Sequence, residues 1–382
     1  MTSPVTIIEV TNKAELKQFV KLPWAIFKDD PNWVPPLIME RMEILDRKKN
    51  PYFQHARARM WLARKDGETV GRITAQIDDL VEQYHHEKIG HFGFFDCIDD
   101  REVAHALLDT ACAWLRAEGR TKLVGPFSLS INEETGMLVD GFDTPPSLMM
   151  NHALPYFQDL VTEYGMVKEK DLWAFYLKID EDVLPPAIDK MIKRSMRDGK
   201  LKLRRINMKN FDQDMRTILD IYNDAWSDNW MALPLTEAEL KQTIKDLKLL
   251  IRPDFTYIAE YDGVPKAMMV TLPNLNEMVA DLDGRLLPTG IFKLLWRLKI
   301  RSAFKTVRVP LMGVRKEFQN TVTGGAMAFA LIEVSRAHIS GIGATHAELS
   351  WVLEDNTRLS KMLETIGCWR YKKYRMFSKD LS

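Results

Sequence analysis

Two stretches near the C-terminal end carry the residues best suited to chemistry. From 346 the chain reads His-Ala-Glu-Leu-Ser-Trp-Val-Leu-Glu-Asp-Asn, with Glu348 and Trp351 in an apolar run and Asn356 at its end. A carboxylate or imidazole held there can take a proton as a general base, so Glu348 and His346 are base candidates. Glu348 equally suits an ion pair with an Arg or Lys, and Asn356 equally suits the N-cap of a following helix. Tyr371 and Tyr374 can donate protons, although on a two-faced strand one of them is expected to pack in the core. The second stretch is the polar turn Gln319-Asn-Thr-Val-Thr-Gly-Gly325, which runs into Ala326–His338. Met327, Ala330, Leu331 and Val334 fall there on one helical face. A turn of small residues that opens a helix offers N–H groups and a positive dipole end to an anion. Paired glycines also mark ordinary connections.

Two further clusters could bind a ligand. Trp226, Asn229 and Trp230 follow Tyr222 at the end of a helical segment, as acceptor-site residues or as core aromatics. Asn132, Glu133 and Glu134 are acidic enough to attract a cationic amine, or form a solvated turn. Cys97, Cys112 and Cys368 lie far apart without metal-ligand spacing, so no metal and no disulfide framework is expected, and a reducing compartment is.

These residues need a scaffold, and 382 residues suffice for two domains. Equal numbers of acidic and basic residues argue against a general nucleic-acid binder. The N-terminal residues lack a basic region followed by an apolar core, so no signal peptide is expected. No uncharged apolar run reaches the ~18 residues of a membrane span. Strand–turn–strand patterns occur twice, around Gly67 and around Gly263. Each is followed by a helix that ends at glycine, Gly165 or Gly367, and then by an aromatic-rich strand. The paired glycines are 98 and 104 residues apart, which reads as a duplicated α/β domain rather than a short-period repeat. The expected division is 1–180, a basic linker helix within 181–200, and 201–382.

The later half, from Val307 onward, resembles the GNAT acyltransferase superfamily: a strand, a loop over Gln319–Gly324, a helix, a strand followed by Asn356, and a helix ending at Gly367-Cys368. The resemblance implies two tandem GNAT-like domains, each a mixed central sheet flanked by helices. It implies that the loop Gln319, Asn320, Thr321, Val322, Thr323, Gly324 and Gly325, with Met312 and Val314 on the strand before it, binds coenzyme A. The thioester would lie where two parallel strands splay. Val322 stands where the superfamily usually has its first loop glycine, and Leu363 where many members have a tyrosine that protonates the leaving thiolate. The first half has the acidic run Asp96-Cys-Ile-Asp-Asp-Arg-Glu102 at the corresponding place, which would repel phosphate, so coenzyme A is assigned to the second half.

Three longer blocks narrow the resemblance: Gly125–Phe142, Tyr222–Trp230 and Glu348–Asn356. They are similar to a family of tandem GNAT proteins that includes bacterial ceramide synthases, which acylate the amine of a sphingoid base from acyl-CoA. The resemblance implies Glu348 as base, Asn356 and Tyr371 as further catalytic residues, and Trp226, Asn229, Trp230, Asn132, Glu133 and Trp351 as acceptor-binding residues. Rival expectations are acetyl transfer to a small polar amine, a non-catalytic binding pair, and an aminoacyl-tRNA-dependent transferase, the last disfavoured by the neutral charge. In 290–305, Lys293, Arg297 and Arg301 recur at four-residue spacing beside Ile291, Leu294, Leu295 and Leu298. This suits either a core-packed helix or a helix lying on the cytoplasmic face of an anionic membrane.

Overall fold

The computed structural model describes residues 4–179, 184–298 and 304–382. Its strands are β1 (Thr6–Glu9), β2 (Ala56–Lys65), β3 (Glu68–Asp78), β4 (Ile89–Cys97), β5 (Lys122–Gly125), β6 (Met137–Asp140), β7 (Val167–Lys178), β8 (Leu201–Arg205), β9 (Thr256–Tyr261), β10 (Val264–Pro273), β11 (Thr306–Val314), β12 (His346–Leu353) and β13 (Trp369–Asp380). Contacts group the chain into two compact units. One holds Met1–Leu172, Val279–Leu294 and Lys372–Ser382; the other holds Trp173–Met278 and Leu295–Tyr371. The units interleave in sequence where contiguous halves are expected, because 279–294 and most of the last strand join the first unit.

In the first unit the strand order is β1-β2-β3-β4-β5-β13, with β6 also on β13. Pairing is antiparallel except between β4 and β5, where Ile89–His91 run parallel to Lys122–Val124. A core of Val10, Phe19, Val20, Leu45, Tyr52, Met60, Leu62, Phe94 and Leu129 forms beside this sheet. In the second unit the order is β7-β12-β11-β10-β9-β8, and β11–β12 is the parallel pair. Helices Phe211–Trp226 and Val322–Ser340 pack on β10 and β11. A parallel pair needs a crossover connection, and the helices Arg101–Ala117 and Val322–Ser340 supply it in the two units.

Local signals place the elements. Asn12 and Thr236 each cap a helix in a full capping box, with Glu15 and Glu239 returning the bond. Gly67, Gly165, Gly263 and Gly367 all take positive φ, the conformation a tight turn or a helix end requires. Three segments differ from expectation. The helix after the polar turn begins at Val322 rather than Ala326, because the Thr321 hydroxyl accepts the Gly324 N–H at 2.9 Å and closes the first turn earlier. The helix expected over 290–305 covers Gly290–Trp296, and Arg301 lies outside the described residues. Within it Leu294 is buried, as is Leu298 beyond its end, so the predicted apolar face packs into the protein while Phe292 and Trp296 are exposed. In the expected linker, Pro186–Met196 is a helix that packs on Val322–Ser340 within the second unit.

Candidate active site

The site is built where β11 and β12 part. Their parallel register joins Thr306–Val309 to His346–Leu349 and goes no further, although both strands continue. The next residue of β11 is Pro310, which has no N–H to give a ladder. On its other side β11 carries a bulge: from Val270 to Leu272 β10 advances two residues, while the partners run three, from Leu311 to Arg308. Beyond the bulge β11 stays paired with β10 but not with β12. Its outer carbonyls are met by side chains instead, Met312 O by Trp226 Nε1 at 3.2 Å and Val314 O by Gln319 Nε2 at 2.9 Å.

The loop that follows is tied to the end of helix Phe211–Trp226. Gln319 Nε2 also donates to Ala225 O at 3.2 Å, the Lys316 N–H to Asp224 at 2.8 Å, and Arg315 to Asp220. Lys316 pairs with Asp228 at 2.6 Å. Asn320 takes a positive φ, and a Cβ at Gly324 would fall on the Phe318 carbonyl oxygen, so glycine is required there. Gly325 meets no such obstacle. The first turn of helix Val322–Ser340 holds no acidic residue, and Val322 is 71% exposed at its tip.

At the mouth of the splay lies a buried polar network. Glu348 is fully buried, and Arg308, its cross-strand partner in the parallel register, is nearly so. Ser350, the second residue past Glu348 and the first beyond the paired stretch, stands between them. Arg308 Nε donates to Ser350 Oγ at 3.0 Å and a terminal guanidinium N–H to Ser350 O at 3.2 Å, while Ser350 Oγ donates to Glu348 Oε1. Arg308 Nε lies 3.8 Å from the same Oε1. The other carboxylate oxygen, Oε2, accepts the Tyr371 hydroxyl, and Tyr371 is half-buried. Tyr176 of β7 packs on Tyr371 at 4.7 Å and stacks on His346 at 4.8 Å. Burial, with the charges of Glu277 and Glu348, pushes the Tyr176 hydroxyl up to about 12, so it stays protonated at neutral pH.

The other expected site residues are placed as follows. Asn356 is the N-cap of Thr357–Thr365, its Oδ1 accepting the Leu359 N–H at 3.1 Å. Trp226 packs tilted against Tyr222 at 4.8 Å and lies 6.3 Å from Trp351, and the Asn229 N–H closes a turn onto Trp226 O at 2.9 Å. Trp230 is partly buried on the same turn. Tyr374 is fully buried in the first unit, the packing fate expected for one of the two tyrosines, and Leu363 is buried in the second. Asn132 and Glu133 are partly buried in the first unit, where the neighbouring Glu134 is held by Arg41 at 3.0 Å. Also in that unit, Asp100 caps helix Arg101–Ala117 with its own carboxylate, accepting the Glu102 and Val103 N–H groups at 2.9 and 3.4 Å and Lys65 at 2.7 Å. Among the described residues no group of three or more His, Cys, Asp or Glu is arranged for a metal ion.

Three residues of the network escaped the sequence reading: Arg308, Ser350 and Tyr176. Only Arg308 left a signal, as a lone cation inside the apolar strand Val307–Val309.

No protein-family model matches the chain. A bacterial ceramide synthase from Caulobacter vibrioides is 45% identical over 379 residues, covering 99% of this chain and 98% of that protein. Protein YghO from Escherichia coli is 44% identical over 370 residues, covering 97% and 94%. Among solved structures, a tandem GNAT protein from the clavulanic acid biosynthesis pathway superposes over 99% of both chains with a TM-score of 0.58 at 12% identity. A GCN5-related N-acetyltransferase from Sphaerobacter thermophilus does so over 99% of this chain and 96% of that one, with a TM-score of 0.53 at 12% identity. These two likenesses show the fold, two GNAT-like halves in one chain.

Proposed function

We propose an activity from one premise: the chain belongs to the tandem GNAT-fold family that includes the bacterial ceramide synthase of Caulobacter vibrioides. On this reading it transfers an acyl group from a coenzyme A thioester to an amine and forms an amide, with a long-chain acyl-CoA as donor and a sphingoid base as acceptor. The observation that supports it most is the parting of β11 from β12 with a buried carboxylate network at the mouth.

In an extended strand a residue's N–H and C=O point to the same side. The amides of Met312 and Val314 therefore share the open edge of β11, where they suit the amide-bearing arm of coenzyme A. The pyrophosphate suits the turn Asn320–Gly325, where the N–H groups of Val322 and Thr323 open a helix whose first turn carries no acid. Gln319 supports that turn through its bonds to Ala225 and Val314. Glu348 and Tyr371 manage the proton of the attacking amine, and Asn356 shapes the site from its cap position. Trp226, Asn229, Trp230 and Trp351 suit the acceptor or the acyl chain, and Asn132 and Glu133 suit a cationic amine on charge grounds.

A lipid acceptor gives a use to the apolar residues left outside. Leu287 is 64% and Phe292 72% exposed, and Arg285 and Lys293 are exposed with them. We read the stretch 285–293, which overlaps the start of the expected 290–305 helix, as resting on an anionic membrane surface on the cytoplasmic side. Among the described residues no helix is long and apolar enough to cross a membrane.

The test is a purified-protein assay with acetyl-CoA and palmitoyl-CoA against a panel of amines. Free thiol should appear with the long-chain donor and a sphingoid base. Turnover of acetyl-CoA on a small polar amine would replace the substrate assignment. Absence of acyl-CoA binding would replace the enzyme reading with a binding protein. Phe292→Asp should reduce sedimentation with anionic vesicles while thiol release from detergent-dispersed substrate is retained.

A further inference from the structure

We infer that Tyr371, not Glu348, is the group that meets the reacting amine, and that Glu348 acts only through it. This inference rests on the acyl-transfer reading above. Glu348 has no exposed surface, and both of its oxygens are engaged, Oε1 by Ser350 and Oε2 by the Tyr371 hydroxyl. Tyr371 is the one member of the chain Arg308–Ser350–Glu348–Tyr371 that is only half-buried. An acceptor entering the splay therefore reaches the phenol before it can reach the carboxylate.

The step balances within this chain. The neutral amine attacks the thioester carbonyl carbon and the C–N bond forms. The proton that leaves the amine nitrogen passes to Tyr371 Oη as the phenol's own proton passes to Glu348 Oε2. When the C–S bond breaks, the thiolate takes a proton back along the same path, and Glu348 returns to a carboxylate. One relay thus serves as base and then as acid.

Arg308 and Ser350 are positioning residues. They pin Oε1 so that Oε2 faces the phenol, and the guanidinium supplies a cation beside the buried carboxylate. Tyr176 packs on the Tyr371 ring and limits its swing.

The experiment compares kcat and acyl-CoA binding by calorimetry in wild type, Tyr371→Phe, Glu348→Gln and the double variant. The relay requires that each single change lower kcat by a similar factor, about 10²–10⁴. It also requires that the double variant fall no further and that donor affinity hold. Full activity in Tyr371→Phe with loss in Glu348→Gln would overturn the relay and leave acyl transfer standing. A wild-type protein that binds no acyl-CoA would overturn the acyl-transfer reading itself. For the positioning residues, Arg308→Gln should lower kcat with acyl-CoA affinity unchanged, and the conservative Arg308→Lys should restore part of it, because a cation again stands beside the buried carboxylate. Wild-type kcat in folded Arg308→Gln would remove Arg308 from this role.

Discussion

The molecule builds the same strand-to-helix junction twice and finishes it differently. In the first unit β4 leads through three residues to a helix whose N-terminus is capped by Asp100, with Glu102 in the first turn and Lys65 outside. The positive end of that helix is answered by a carboxylate of the chain itself. In the second unit β11 leads to a helix capped by the neutral hydroxyl of Thr321, with no acid in its first turn. The two junctions share a topology, strand to helix to parallel strand, and differ in charge and in connector length, three residues (98–100) against seven (315–321). On the acyl-transfer reading, the second junction is the one left to the anion of the donor, and the capping residue is the sharpest difference between the two.

The contrast can be broken on either side. The largest effect is expected from Gly324→Ala. The added methyl meets the Phe318 backbone carbonyl, so the denaturation midpoint should fall by the equivalent of about 1–3 kcal/mol, with loss of acyl-CoA binding by calorimetry. Thr321→Asp copies the first junction into the second. Asp caps about as well as Thr, so urea melts should change by less than about 0.5 kcal/mol. Acyl-CoA affinity should weaken about tenfold, the equivalent of about 1.4 kcal/mol; unchanged affinity would mean that the phosphates do not sit there.

Asp100→Asn tests the first junction. The bond from Lys65, with the Val103 and Glu102 amides, holds the Asp100 carboxyl below its ordinary value against the opposing effect of partial burial. Its folded-state value lies below the unfolded one, so the stability it adds is complete above about pH 4 and is lost as pH falls through the folded value. Stability of wild type over Asp100→Asn should be under about 1 kcal/mol at pH 7 and vanish in acid, with acyl transfer unaffected. The smallest change is expected from Val322→Gly, a loss of about 0.5–1 kcal/mol of helix stability without weaker donor binding, since the valine side chain points into solvent.

How much of this was legible in the sequence depended on the range of the interactions. Capping boxes at Asn12 and Thr236, and the four turn glycines, are decided within a few residues, and each was readable. So was the duplicated α/β pattern, because it repeats those local signals. The start of the last long helix was misplaced by four residues because Thr321 looks like loop until its hydroxyl is seen capping Gly324. The segment 290–305 has one pattern and two possible partners. Sequence periodicity cannot tell a face turned to lipid from one turned to core, and the core took Leu294 and Leu298. Glu348 and Tyr371 stand out by their chemistry and by resemblance, but Arg308 meets Glu348 only through a register fixed across 40 residues of chain, Ser350 gains its part only once Arg308 is there, and Tyr176 meets Tyr371 across 195 residues. Pro310 was in plain view, although its consequence needs the neighbouring strand.

That proline makes an unfinished sheet. From Leu311 to Val314 one edge of β11 is secured and the other carries no strand among the described residues, which elsewhere invites pairing with a foreign chain. On the acyl-transfer reading proposed above, the missing strand would be supplied by a small molecule, because the arm of coenzyme A carries amides at a peptide-like spacing. The donor then belongs to the fold as much as to the reaction. At a hundred times its dissociation constant it would add about 2.7 kcal/mol to the stability of the folded chain, and removing it would loosen the sheet where the chemistry happens.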